Sequence, residues 1–192
     1  MQNLVQALLD SQNQKGVGGA HFLTGINGVG KTTFMLNLKK DFDQKKIKVS
    51  MSSQKPLITL KHWRVQDLLA YAHETLEFHI DKKLLETYAS DMGLEKFYST
   101  PVMKLSGGEN QVLKIYLCLL LKANYYFLDE PTTYLDSDKR NKLIKLIQTL
   151  KSHGRNFLII EHDLDFLNQV ADQKWMMAPN GDILLEKETC DV

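Results

Sequence analysis

The chain has 192 residues, 43% of them hydrophobic, enough to close one core and too few for two domains of ordinary size. Its 24 basic and 23 acidic side chains leave a formal charge of +1, so no global field gathers nucleic acid or an anionic membrane, and any such partner must be met locally. Cys118 and Cys190 stand far apart with no CxxC pair or Cys/His cluster, which argues against a disulfide framework or a zinc site and suits a reducing cytosol.

The opening stretch, MQNLVQALLD, lacks the basic start and apolar run of a leader. The densest apolar run, residues 115–121, is much shorter than the roughly 20 residues that cross a bilayer. A soluble cytoplasmic chain that can dock on a membrane protein is expected. Residues 1–15 read as a short helix, and Gly16, Gly18 and Gly19 interrupt it before the apolar run at 20–23, the first predicted strand. A glycine-rich loop, a predicted helix over 33–43 and a short strand over 47–51 complete a βαβ unit. From about 57 to 98 apolar residues recur at helical spacing, in VQDLLAYAHETL and DKKLLETYASDMGL, with no convincing strand. The pattern then alternates: a helix over 109–122, a buried strand over 125–128, a helix over 137–152, a buried strand over 157–160, a last helix, and a terminal strand near 182–185. Apolar strands separated by helices predict an α/β fold with a largely parallel sheet covered on both faces. The expected organisation is a single domain over 1–192, with a core at about 1–54 and 110–192 and an inserted helical subdomain at about 55–109.

Three segments carry chemistry. GINGVGKTT, from Gly25 to Thr33, fits the phosphate-loop pattern and lies between a predicted strand and a predicted helix, the context the pattern requires. Its glycines let backbone N–H groups turn inward around phosphates, the helix start adds favourable partial charge, Lys31 reaches the β- and γ-phosphates, and Thr32 is able to ligate Mg²⁺. The strand at 125–128 delivers Asp129 and Glu130 to its end, the edge of a parallel sheet that lies beside such a loop. Alone, an Asp-Glu pair there is a solvated turn. Beside a phosphate loop, Asp129 suits Mg²⁺ and Glu130 suits the attacking water. LSGGE opens a helix about twenty residues upstream, where Ser106 caps and Gly107 and Gly108 leave N–H groups bare. One chain thus carries two phosphate-binding helix starts.

In order along the chain, these segments resemble the ATP-binding-cassette (ABC) ATPases, from about Ala20 to Leu185. GINGVGKT resembles the Walker A loop, Gln54 in SSQKP the Q-loop glutamine, LSGGE the signature, YYFLDEP the Walker B strand, TTYLD the D-loop with Asp136, and IIEHD the switch histidine, His162. The resemblance implies ATP and Mg²⁺ as ligands. Nucleotide contacts fall on Asn27, Gly28, Val29, Gly30, Lys31, Thr32, Thr33, Ser106, Gly107, Gly108 and Asp136, metal contacts on Thr32, Gln54 and Asp129, and catalysis on Lys31, Gln54, Glu130 and His162. It also implies a second cassette as partner, most simply another copy of the chain, because each ATP of the family lies between one Walker A loop and the other chain's signature.

The chain departs from transporter cassettes in three places. Little room exists for the antiparallel β region that flanks the Walker A loop there. No aromatic residue precedes Phe22, a core-strand residue, so the adenine contact is unassigned and weak discrimination between bases is expected. The signature ends in Glu109 where transporters more often have Gln. WRVQDLL resembles the stretch where transporter cassettes meet membrane permease subunits, although Trp63 also suits a core. LSGGE, DEPTTYLD and IEHDLDFL resemble twin-cassette proteins that act on ribosomes, and LSGGE also occurs in DNA-repair members. One cassette, no iron-sulfur cysteines and no basic face weigh against that alternative. The run of Lys39, Lys40, Lys45, Lys46 and Lys48 is interleaved with acids and reads as a solvated helix face, not a nucleic-acid site. The resemblance points first to the ATP-binding subunit of a membrane transporter, peripheral on the cytoplasmic face.

Overall fold

The computed structural model describes residues 2–13, 18–52, 62–75 and 82–186. A six-stranded sheet runs in the order β2-β3-β4-β1-β5-β6, from β1 (Ala20–Thr24), β2 (Val49–Ser52), β3 (Tyr125–Asp129), β4 (Asn156–Ile160), β5 (Gln173–Met177) and β6 (Ile183–Leu185). All neighbours are parallel except β5 with β6. β3 and β4 are buried at every position. A strand covered on both faces has no wet side, which is why YYFLD and NFLII read as continuous apolar runs.

Side chains alternate between the faces of the sheet and divide the core in two. Phe22, Tyr126, Leu128, Phe157 and Ile159 join one apolar cluster, and Leu23, Tyr125, Phe127, Leu158 and Ile160 join the other. The second cluster is covered by α1 (Gln2–Asn13) and α2 (Lys31–Gln44). Leu4 and Leu8 of α1 repeat at i, i+4, and Phe34, Leu38 and Phe42 of α2 repeat every fourth residue, so each helix turns one stripe to the sheet. The Tyr125 hydroxyl donates to the Leu8 carbonyl at 2.8 Å, and Phe42 packs on Tyr125 with ring centres 5.1 Å apart. The first cluster contains α5 (Gly107–Leu120), α6 (Ser137–Ser152) and α7 (Leu164–Val170).

Residues between β2 and α5 are helical where described: α3 (Val65–Thr75), α4 (Lys82–Asp91), and short 3-10 turns at Leu94–Phe97 and Val102–Lys104. Val65, Leu68, Leu69, Leu85, Tyr88 and Met92 share the cluster of α5 and α6, so this insert extends the core of one sheet face. Outside the sheet, the strand-like pairing among the described residues is a single bridge between Arg64 and Pro101.

The strand expected near 182–185 is β6, whereas β5 was not legible in the sequence. In QKWMM only Trp175 and Met177 reach the core. Its place comes from pairing with β1, Leu23 opposite Trp175, a long-range contact with no local signature.

His21 lies on β1 with 2% of its surface exposed. Burial pushes its imidazole down to about 4, against the pull of Asp172 and a hydrogen bond with Gln173. Between pH 4 and 6.5 the unfolded chain therefore binds the extra proton, so stability is complete above pH 6.5 and falls as the pH drops. The gap is worth about 3 kcal/mol. Urea unfolding followed from pH 7 to 4 is expected to show that loss, and His21→Gln, which does not titrate, to flatten it. Parallel curves for the two proteins would remove His21 as the cause.

Candidate active site

The parallel strands deliver their functional residues to one edge of the sheet, as such sheets do. β1 ends in the glycine-rich loop, which enters α2 through Gly30 at φ 104, a left-handed conformation that glycine adopts without Cβ strain. No side chain caps this helix, so its first N–H groups are left for an anion. Lys31 is 7% exposed and curls over its own loop, its Nζ donating to the Gly25 carbonyl at 2.7 Å and the Ile26 carbonyl at 3.1 Å. Burial lowers the Lys31 pKa, while Glu130 and Asp129 pull it back up. Phosphate oxygens at the loop would exchange two neutral carbonyl acceptors for a stronger, negatively charged one.

β3 ends in Asp129, 2% exposed. Its Oδ2 accepts from the Thr32 hydroxyl at 2.9 Å, and its buried Oδ1 has no partner. Burial raises the Asp129 pKa; the Thr32 hydrogen bond opposes this, and Glu130 adds to it. A hydroxyl beside a carboxylate with an unfilled oxygen suits a hard divalent cation of the Mg²⁺ type. Among the described residues no group of three or more His, Cys, Asp or Glu side chains is able to hold a metal. Phosphate oxygens and water would then complete the shell, as is usual for nucleotide-bound Mg²⁺.

Glu130 follows with φ 49, unusual for a residue with a Cβ. Three contacts hold it: its N–H donates to the Ile160 carbonyl at 2.8 Å, its carbonyl accepts from Gln111 Nε2 at 3.1 Å, and its Oε2 meets the Thr133 hydroxyl at 3.4 Å. His162, exposed after β4, shares an apolar cavity of about 550 Å³ with Gly25, Ile26 and Asn27 of the phosphate loop and with Met176 and Pro179. Lys31, Thr32, Asp129 and Glu130 are thus brought together, with His162 facing the first half of the loop. Gln54 lies outside the described residues.

Ser106 and Glu109 form a capping box at the start of α5. The Ser106 N–H and hydroxyl both donate to Glu109 Oε2 at 2.8 Å. The glycines after Ser106 are required sterically: a Cβ on Gly107 would meet the Tyr134 ring at 3.0 Å, and one on Gly108 the Tyr134 carbonyl at 2.9 Å. Tyr134 itself has φ 65 and is 76% exposed. Gly107, Gln111, Glu130 and Tyr134 line a common cavity of about 450 Å³, so the signature helix touches the loop that carries Glu130. Asp136 caps α6, accepting from the Lys139 N–H at 2.8 Å, and that bond holds its carboxyl below the usual range.

Sequence reasoning missed Glu161. It is 4% exposed, and its carboxylate binds Thr132, two residues beyond Glu130, as well as the backbone of His162. The available signal was an acid between an apolar strand and the histidine.

A family model described as ABC transporter matches residues 15–133. A putative ABC transporter ATP-binding protein of Listeria monocytogenes is 28% identical over 97% of this chain and 78% of its own length. The translation initiation factor rli1 of Schizosaccharomyces pombe is 30% identical over 79% of this chain but only 25% of its own length. The structure titled RNase-L Inhibitor superposes on 88% of this chain with a TM-score of 0.72 and 26% identity, and this chain covers 34% of it. The chain therefore belongs to the ABC transporter family: it is a nucleotide-binding domain of the ABC ATPase type, a family that hydrolyses ATP.

Proposed function

We propose that the chain hydrolyses ATP, with Mg²⁺, between two cassettes joined head to tail, and that this work drives a membrane transporter of which it is the ATP-binding subunit. The observation that supports the first part is a second glycine-rich helix start in the same chain: α2 begins uncapped at the phosphate loop, while α5 begins at Ser106, whose hydrogen bonds stay within its own helix start, followed by two glycines that keep side chains off its first turn. A second copy placed head to tail brings one Walker A loop opposite the other chain's signature.

In this arrangement the loop amides of Asn27 to Thr33 and the Lys31 ammonium neutralise the β- and γ-phosphates. Thr32 and Asp129 offer the oxygens that hold Mg²⁺, with Gln54 assigned beside them. Bound there, the ion neutralises charge that develops on the transferring phosphoryl group. Glu130 orients or deprotonates the attacking water from the end of β3, and His162 meets the γ-phosphate from the end of β4. Ser106, Gly107 and Gly108 of the second copy close the site, with Asp136 at the crossing. In this proposal the helical subdomain expected at about 55–109, through the helices described there, carries the signature toward the partner, the rest forming the core.

The transporter role is supported by the Listeria relative, a putative ABC transporter ATP-binding protein aligned over nearly the whole of this chain. No helix among the described residues is long and apolar enough to cross a membrane, so permease subunits would supply the path and hold the chain at the cytoplasmic face. A second reading, an ABC ATPase acting on ribosomes or nucleic acid, is favoured by the likeness to a translation initiation factor. Trapping tagged Glu130→Gln protein with ATP in its native cell and identifying what copurifies decides between them. Polytopic membrane proteins are expected; ribosomes or nucleic-acid factors would overturn the transporter role and leave the ATPase chemistry standing.

A further inference from the structure

Glu161 is the least expected group near the site, because an ionised carboxylate is costly to bury unless it is fully hydrogen-bonded. It meets that condition through four donors, divided between its two oxygens. Oε2 accepts from the Thr132 N–H at 3.1 Å and the Thr132 hydroxyl at 2.6 Å. Oε1 accepts from the His162 N–H at 2.7 Å and the Asp163 N–H at 3.3 Å. One oxygen therefore serves the loop after β3 and the other serves the loop after β4. An ionised carboxylate accepts only, so each of these bonds has a fixed direction, and an amide reproduces only half of them.

The clasp extends beyond Glu161. Asp163 caps α7 through the Phe166 N–H at 3.0 Å and pairs with Arg140 of α6 at 2.8 Å. The Glu130 N–H reaches the Ile160 carbonyl, one residue before Glu161. The His162 side chain itself is exposed, and the backbone from which it springs is the part that Glu161 holds.

We propose that Glu161 is a positioning residue, a buried clamp between Thr132 and the backbone of His162 that sets the switch histidine relative to Glu130. The assignment rests on the ATPase reading above. It predicts a split between binding and turnover. The phosphate loop and α2 lie outside the clamp, so nucleotide affinity should survive its loss while the chemical step slows.

The test uses the full chain and four variants. Glu161→Gln sets an amide against donors; Thr132→Val removes one donor at nearly constant shape; Thr132→Ser keeps it; His162→Ala removes the group through which the clamp acts. In radiolabelled phosphate release, Glu161→Gln and Thr132→Val are expected to lower kcat by about tenfold or more, with KM within about twofold, and Thr132→Ser to match wild type. In the His162→Ala background the same two changes should cost almost nothing further, the non-additivity expected of residues that act through one another. A general structural role would lower turnover equally in both backgrounds. In ¹⁵N spectra of the nucleotide-free chain, Thr132→Val should shift the His162 ring signals and leave those of His153 in place. Wild-type turnover in both clamp variants, an equal loss without His162, or an unmoved His162 signal would each overturn the proposal and spare the ATPase reading. A wild-type chain that never hydrolyses ATP would remove both.

Discussion

Glu130→Gln is expected to slow ATP turnover by about 100- to 10,000-fold, the range that a positioned general base contributes. The substitution keeps the size of the side chain and leaves the backbone bonds to Ile160 and Gln111 in place, so the strained φ of 49 has no reason to relax. What changes is the proton affinity of one group in a site whose other members, Lys31, Thr32 and Asp129, are intact. Binding should persist, and an ATP-bound dimer should accumulate because the step that releases it is blocked. Phosphate release and size-exclusion chromatography with ATP read the two consequences. Unchanged turnover would take Glu130 out of the role of base or water-positioning group.

Ser106→Arg has the second largest expected effect, and it separates the two anion sites. In the isolated chain the start of α5 is exposed at Ser106, so an arginine finds room there and costs about 1 kcal/mol through loss of the cap. In the proposed head-to-tail pair the same position would face the partner's nucleotide, where a long side chain would keep the surfaces apart. Nucleotide binding by the monomer is expected to be unchanged, the ATP-dependent dimer to be absent, and turnover to fall by roughly 100-fold, a loss of the size seen when one preorganised donor is removed from a transition state. Scattering measurements with and without ATP check this, and a dimer that persists would mean that the site is not shared between chains.

The two parts of the site differed in how far they could be read from sequence, for a physical reason. The phosphate loop is local: its glycines, Lys31 and Thr32 are neighbours in the chain, and the helix they open needs no distant partner to present its N–H groups. Asp129 and His162 were legible because each follows a run of apolar residues that only a strand buried on both faces tolerates. Ser106 was legible as a cap, and Glu109 supplies the other half of the box. Elsewhere the cue was missing. β5 is held by β1 and not by its own composition, Glu161 is identical in sequence to any surface acid, and Tyr134 reveals nothing of its contact with Gly107 until α5 and the loop after β3 are packed together.

The sequence by itself determined the class of fold and the order of its motifs, because hydrophobic period and short-range spacing encode them. Only the tertiary structure decided that Thr32 and Asp129, 97 positions apart, share a hydrogen bond while Asp129 keeps a second oxygen unpaired. It also decided that Glu161 ties Thr132 to His162 and that the signature helix rests against the loop of Glu130. Those contacts join segments that meet only when β1, β3 and β4 align in register, and a register is a property of the whole sheet, not of any one strand.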